Sequence, residues 1–314
     1  MHIINTLGPV FIIIFLGALL TRVKFLDAHA RRIINACCYW IGLPCLLALK
    51  IGTATDSGGA AGTTILIVLY GTFLLMAVSA LIGWRMKLNP RELATFVHIS
   101  FRGNLAYLGL PIIYFAFSGS EYADRAESVA AITLGIIVVV YNVAAVLIHL
   151  LSTHRVTASA LKPVFIKLMT NPLLLSCGAG LAWNHWAHLN GVEVPVVAFR
   201  TMSMLGQFAL PMALLCVGSA LVTTPVRDIA AGAIVSAAIK TGAGPLAAIL
   251  FSRILGAGAM ETGIACILLG APTAIASYVL TEQLDGKPSL AAATIVMSTL
   301  ICSVTFSIII ACIH

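Results

Sequence analysis

The chain has 314 residues, of which 60% are hydrophobic and 9% are charged, and its mean hydropathy is +1.05. Soluble domains usually carry about 25% charged residues, so the composition excludes an ordinary soluble domain and indicates an integral membrane protein. The net charge of +7 resides in the connecting loops rather than in a basic domain, so no nucleic-acid partner is expected.

Ten apolar stretches follow one another along the chain, each long enough to cross a hydrocarbon core of about 30 Å as a helix. Helices are predicted because lipid offers no partner for an unpaired peptide group, and the alternation of a β-barrel strand is absent. The first stretch lacks the features of a cleaved signal peptide and is predicted to be retained. The predicted spans are 3–21, 33–50, 61–84, 93–118, 128–151, 171–189, 195–222, 226–250, 258–283 and 289–313.

Basic residues concentrate in alternate loops. Twelve lie in or beside the loops that follow spans one, three, five, seven and nine, and four lie on the opposite side. By the positive-inside rule, this asymmetry predicts a multi-pass protein of the cell (inner) membrane with both termini on the non-cytoplasmic side. The twelve are Arg22, Lys24, Arg31, Arg32, Arg85, Lys87, Arg91, Arg155, Lys162, Lys167, Arg227 and Lys287.

Similar motifs recur in the two halves of the chain. The matched pairs are Pro44 with Pro211, Pro111 with Pro272 and Thr133 with Thr294, separated by 167, 161 and 161 positions. The near-constant offset predicts two repeats of five spans, residues 1–151 and 171–314, joined by a short cytoplasmic linker at 152–170. Because five is odd, the second repeat is inverted, which is typical of secondary transporters.

Spans four and nine each contain glycine and proline near the middle, at Gly109-Leu110-Pro111 and Gly270-Ala271-Pro272. These residues predict interrupted helices, although simple kinks in continuous helices remain the alternative. Half-helices that begin near Pro111 and near Pro272-Thr273 would direct two positive dipole ends into one space. Such a pair of N-termini is a predicted anion site.

Two basic residues lie inside predicted spans, Arg102 in span four and Lys240 in span eight, whereas none of the eleven acidic residues lies at mid-span. Cation carriers generally need a carboxylate at this depth, so the pattern favours an anionic substrate. The alternatives are that Arg102 extends to the headgroups and that Lys240 pairs with carbonyls at a helix break.

Several polar residues could line the same space. Asn104 is predicted to share a helix face with Pro111 and to bind substrate, or alternatively to bond another helix. Weaker candidates complete the set: Tyr141, Asn142, Thr273, Ser277 and Ser303. The Ser and Thr hydroxyls could instead bond carbonyls of their own helices. His98, His149, His185 and His188 are predicted to be interfacial. No Cys/His ligand spacing occurs, so neither metal nor cofactor is expected.

The stretches "GNLAYLGLPIIY" in span four, "GLPCLL" in span two and "GAPTAIASYVLTEQLDG" in span nine resemble the auxin efflux carrier family, which includes plant auxin exporters and bacterial permeases. The resemblance implies a fold like that of the bile-acid symporters. It also implies a scaffold domain of spans one, two, six and seven, and an elevator-like transport domain of the other spans. A homodimer through the scaffold spans is implied as well.

The resemblance further implies a carrier of organic anions such as auxin, malate or malonate, with its crossover site at Asn104, Leu110, Pro111 and Pro272. The short linker lacks the long hydrophilic insert of the plant exporters, which favours a small carboxylate over auxin. A sodium- or proton-coupled symporter is the alternative function and a membrane ligand sensor a remote one. No catalytic constellation is found, so the chain is not expected to be an enzyme.

Overall fold

The computed structural model describes residues 2–54, 58–152, 166, 169–224 and 231–313. Within these ranges the chain is all-helical, as predicted, and contains one isolated β-bridge. Most of the predicted linker, residues 153–165 and 167–168, lies outside the described residues. So do Arg155, Lys162, Lys167 and Arg227 of the predicted basic loops.

The described helices are α1 His2–Arg22, α2 Ala28–Cys37, α3 Leu43–Gly52, α4 Gly58–Arg85, α5 Pro90–Phe101, α6 Leu110–Phe117, α7 Ala123–Ser152, α8 Pro172–Asn190, α9 Val196–Thr223, α10 Ala231–Ala238, α11 Gly244–Leu255, α12 Ala259–Gly270, α13 Ala276–Gln283 and α14 Pro288–Ile313. Three single π-helical turns occur at Cys38–Gly42, Leu105–Gly109 and Ile239–Ala243.

Six continuous helical stretches are long and apolar enough to cross a membrane: Ala28–Gly52, Gly59–Arg85, Ala123–Ser152, Val196–Thr223, Ala231–Leu255 and Pro288–Ile313. Predicted spans one and six are helices of 21 and 19 residues, α1 and α8. Predicted spans four and nine each consist of two shorter helical pieces. The structure thus shows a multi-pass helical protein with six clear spans, and the count of ten remains a prediction.

Each of the three π-helical turns directly precedes an α-helix with proline at its start, at Pro44, Pro111 and Pro245. Proline lacks an N–H and its ring clashes with the carbonyl four residues earlier. The wider π turn accommodates both effects without ending the helix. The chain is therefore helical from Leu105 to Phe117, and the predicted interruption at Gly109–Pro111 is wrong in its position.

The interruption of this segment lies at residues 102–104, immediately after α5 ends at Phe101. Arg102 and Asn104, which were predicted to lie within a helix, are both in it. The second interruption covers residues 271–275, between α12 and α13, and includes Pro272 as predicted. Arg102 and Ala271 are 169 positions apart, close to the 167 of Pro44 and Pro211.

The described chain divides into two compact units. Unit one consists of Met1–Gly62, Ala106–Ile136 and Lys167–Val222, and unit two consists of Thr63–Leu105, Ile137–Ile166 and Thr223–His314. In unit one, glycines allow helices to pack backbone against backbone. A Cβ on Gly218 would overlap the carbonyl of Ile14, and one on Gly180 would lie 2.8 Å from the Ala48 carbonyl oxygen. These contacts join α1 to α9 and α3 to α8.

Unit two contains an ion pair outside the predicted spans, between Lys287 and Glu92. The Lys287 backbone N–H also donates to Thr95 Oγ1 at 2.9 Å. Together these bonds connect the start of α5 to the turn that precedes α14.

The hydrogen bond from Lys287 lowers the pKa of the Glu92 carboxyl. Because the folded-state pKa is the lower one, the pair stabilises the fold above the unfolded-state pKa, and this is lost as the pH falls through the folded-state pKa. We expect Glu92→Gln to cost at most about 1 kcal/mol at neutral pH and nothing once carboxyls are protonated. Thermal melts of both proteins at neutral and acidic pH test this, with the exposed Glu193→Gln as control. A deficit that persists in acid would contradict it.

Candidate functional site

The two interrupted segments of unit two meet each other. The Asn104 N–H donates to the Pro272 carbonyl at 2.7 Å, the Ala274 N–H donates to the Arg102 carbonyl at 3.0 Å, and Gly103 faces Thr273 in the antiparallel bridge. We call residues 102–104 and 271–275 the junction. Backbone groups that the helix ends leave without partners are thus bonded to one another, as they must be in a medium without water.

Local sequence explains why both helices stop at the junction. A residue that precedes proline is disfavoured in the α region, and Ala271, which precedes Pro272, has φ −57° and ψ 136°. Arg102 is extended as well, with φ −76° and ψ 97°, and Gly103 follows it. Glycine leaves room there for the Lys240 side chain. A Cβ at position 103 would lie 3.0 Å from Lys240 Cε and 3.2 Å from Nζ.

Thr273 fastens the junction to two neighbouring helices. Its backbone N–H donates to Ser298 Oγ on α14 at 3.0 Å, and its Oγ1 donates to the Ile99 carbonyl at 2.9 Å. Ile99 lies in the last turn of α5, where a carbonyl has no intrahelical partner. The hydroxyl of Thr273 therefore caps α5 rather than bonding its own helix, which was the alternative interpretation from sequence.

Thr273→Val should destabilise the protein by about 1–3 kcal/mol, because the buried Ile99 carbonyl loses its donor while the shape of the side chain is kept. Thr262→Val is the matched control. The Thr262 hydroxyl bonds the Gly258 carbonyl within its own helix and is exposed, so its loss should cost under about 0.5 kcal/mol. Thermal unfolding of both variants measures the difference, and equal melting temperatures would contradict the capping role.

Lys240 is fully buried in unit two, in the π turn between α10 and α11. Its ammonium donates to the carbonyl of Leu269, in the last turn of α12. A cation at a helix C-terminus is stabilised by the helix dipole. This bond is of the kind that the alternative interpretation from sequence described, in which Lys240 pairs with a carbonyl at a helix break, and it places Lys240 beside the junction.

Arg102 points to α7. Its Nη2 donates to Asn142 Oδ1 at 2.8 Å. The adjacent Tyr141 is buried and lies edge-on to Phe101, with 5.5 Å between the ring centroids. The predicted polar residues of span five are thus brought to the α5 side of the junction.

The remaining candidates are dispersed. Ser277 is fully buried in the first turn of α13, and its Oγ has no hydrogen-bond partner in the part of the chain that the structure describes. The Ser303 hydroxyl donates to the Leu300 carbonyl of its own helix at 2.8 Å, which is the intrahelical bond given above as the alternative to lining the site. Gly109, Leu110 and Pro111 are buried in unit one.

Sequence reasoning missed Gly103 and Ser298 and misplaced two histidines. The Arg102-Gly103-Asn104 tripeptide is a turn signal inside an apolar stretch and could have indicated the interruption. No local pattern distinguishes Ser298 from the other hydroxyls of α14. His98 and His149 were predicted to be interfacial, but they are 0% and 1% exposed, because both face the interior of unit two.

The junction is electropositive. The segments 97–105, 236–245 and 266–277 contain two cations, Arg102 and Lys240, and no acidic residue. The helix α13 begins directly after the junction, and its N-cap residue, Ile275, makes no side-chain capping bond. Cations beside the positive dipole end of α13 are suited to a carboxylate.

Sequence comparison identifies relatives of the whole chain. The profile of a family described as "Membrane transport protein" matches residues 2–156 and 139–310. A Rhizobium meliloti (strain 1021) protein named "Putative malonate transporter" is 26% identical over 306 residues, which cover 93% of this chain and 90% of that protein. "Auxin efflux carrier component 3a" of Oryza sativa subsp. japonica is 28% identical over 141 residues, 44% of this chain and 23% of the rice protein.

Proposed function

The chain belongs to the membrane transport protein family that includes the auxin efflux carriers, and from this premise we propose that it is a secondary transporter for a small organic anion. The family is one of transporters rather than enzymes. We propose a mono- or dicarboxylate such as malonate or malate, or an auxin-like acid, as the substrate. The nearly full-length similarity to a relative named as a malonate transporter supports a small dicarboxylate.

The observation that carries this proposal is the electropositive junction. Lys240 donates to the last-turn carbonyl of Leu269, and Arg102, at the end of α5, donates to Asn142. Helix α13 starts beside the junction, and the Ser277 hydroxyl in its first turn is buried without a partner among the described residues. We assign the side-chain amide of Asn104 and the hydroxyl of Ser277 to the carboxylate. Asn104 is bonded at the junction through its backbone, which leaves the amide for a ligand.

We propose that the fold comprises ten spans in two inverted repeats, 1–151 and 171–314, with crossover segments at the two interruptions. Spans one, two, six and seven would form a scaffold, and spans three, four, five, eight, nine and ten would form an elevator-like transport domain. Unit two supports the assignment of spans three, eight, nine and ten, which it contains together with the junction, whereas spans four and five are each divided between the two units. A homodimer through the scaffold and a cell-membrane location with both termini outside the cytoplasm complete the proposal.

Sodium coupling is less well supported. A sodium ion held at a helix break is coordinated by unwound backbone carbonyls together with side-chain oxygens. At this junction the Leu269 carbonyl already accepts from the Lys240 ammonium, and the nearby segments are free of acidic residues. We therefore propose a carrier that does not use sodium.

A thermal-shift screen tests the proposal, because a ligand that binds only the folded state raises the melting temperature. We expect malonate, malate or another small carboxylate to stabilise the wild type at a concentration at which the neutral malonamide does not. Asn104→Ala should keep its own fold, since its backbone bonds are unchanged, and should lose the shift. Stabilisation by sodium chloride alone, or equal shifts with malonamide, would contradict the proposal.

A further inference from the structure

His98 and His149 form a buried pair in unit two. His98 Nδ1 and His149 Nε2 are 3.3 Å apart, and the ring planes are almost perpendicular. His98 belongs to α5 and His149 to α7. Both rings are buried, and the 3.3 Å contact is a hydrogen bond between them.

The pair has an unused hydrogen-bonding position. A neutral imidazole has one donor and one acceptor nitrogen, so one ring donates and the other accepts across the 3.3 Å contact. The remaining nitrogen of His98, Nε2, is buried and has no partner among the residues that the structure describes. A buried ring nitrogen without a partner is costly, and this position of His98 is where an added proton would reside.

One added proton would change the pair in a definite way. It would make both nitrogens of one ring donors and convert the shared contact into a charge-assisted hydrogen bond, which is stronger than a neutral one. Histidine is the side chain that gains and loses a proton near neutral pH. The positive charge would then be shared between α5 and α7.

The pair is connected to the junction by both helices. The His98 carbonyl accepts from the Arg102 N–H at 3.2 Å. His149 lies seven residues after Asn142, which accepts from Arg102, and a seven-residue spacing returns to the same helix face. The helices α5 and α7 are thus joined twice, at the histidine pair and at Arg102–Asn142.

The charged environment of the pair determines how it would respond to a ligand. The ionisable groups that act on His98 are Arg102 and His149. Helices α10 and α14 pack on α5 and contain no Asp, Glu, Lys, Arg or His. Among the other elements packed on α5, the π turn contributes Lys240, α13 contains Glu282, and α4, whose Gly83 abuts Leu93, ends at Arg85. The turn before α14 adds Asp285 and Lys287, and its Gly286 abuts the His149 ring. An anion at the junction would offset Arg102 and Lys240 and so favour a proton on the pair.

We propose that the His98–His149 pair is a proton-binding site whose proton is taken up together with the anionic substrate. This inference rests on the proposed function and identifies its coupling ion. By linkage, the proton and the anion strengthen each other's binding by the same factor. One anion and one proton cross together, and no other reactant is required.

The first test observes the proton directly. In protein labelled with ¹⁵N-histidine in micelles and saturated with malonate, two imidazoles should titrate as a coupled pair and take up one proton. His98→Gln should remove this coupled titration, whereas His185→Gln, which changes an exposed histidine, should leave it. A pair that stays neutral throughout, or two histidines that titrate independently, would overturn the proposal.

The second test measures flux of radiolabelled malonate in proteoliposomes. Wild-type uptake should fall by up to about tenfold per pH unit above the midpoint of the pair, as expected for one linked proton, and His185→Gln should behave alike. His98→Gln and the milder His149→Asn should retain binding but vary less than about twofold over the same range. An unchanged pH profile in both variants would overturn the inference. If the wild type moves no malonate, the proposed substrate is wrong and the titration alone decides the proton site.

Discussion

Gly244→Ala should abolish carboxylate binding and lower the melting temperature, whereas Gly242→Ala should do neither. An added Cβ on Gly244 would overlap the carbonyl of Leu269, and backbone atoms cannot move aside as a side chain can. Overpacking of this kind typically costs about 1–3 kcal/mol. The displaced Leu269 carbonyl is the acceptor of Lys240, so the substitution would also move the Lys240 side chain beside the junction.

Gly242 provides a matched control because it lies two residues away in the same turn, and a Cβ there would meet nothing within 4 Å. Both variants can be compared by thermal unfolding with and without malonate. Equal melting temperatures would show that α11 and α12 do not pack as closely as described. A destabilised Gly244→Ala that still binds malonate normally would separate this contact from the ligand site.

Lys240→Met should weaken carboxylate binding by about 10- to 100-fold, which corresponds to about 1.4–2.8 kcal/mol. Methionine keeps most of the length of the side chain but removes the buried cation. The Leu269 carbonyl would also lose its donor, at a cost to stability of about 1–3 kcal/mol. Affinity measured by titration calorimetry and stability measured by melting report the two effects separately.

Lys287→Met is the corresponding control, since Lys287 lies in the same unit and pairs with Glu92 outside the predicted spans. It should leave the affinity for the carboxylate within about twofold of the wild type, because exposed charges are strongly screened. If Lys240→Met is destabilised yet binds malonate as tightly as the wild type, Lys240 serves only to hold Leu269.

The helical class was predictable because composition and the lengths of the apolar stretches determine it. The position of the first interruption was not. Pro111 suggested a break, but the π turn that precedes it accommodates the proline, and the chain is helical from Leu105 to Phe117. The second interruption was predictable at Pro272, since a residue before proline tends to leave the helical region.

Site residues were predictable where their chemistry is rare in a membrane. Lys240 and Arg102 were conspicuous as charges, and both lie at the junction or beside it. The role of Thr273 could not be distinguished from an ordinary intrahelical bond, because its acceptor, Ile99, is 174 positions away. His98 and His149 were misjudged because position along a span does not reveal which neighbouring helix covers a side chain.

Uptake of radiolabelled malonate into proteoliposomes tests the central claim, that the electropositive junction binds and carries a small carboxylate, most directly. We predict saturable uptake by the wild type that excess malonamide does not inhibit and that is lost in Asn104→Ala, which leaves the backbone bonds of the junction intact. Uptake no greater than in empty liposomes for malonate and every other small carboxylate, or full uptake by Asn104→Ala, would contradict the claim.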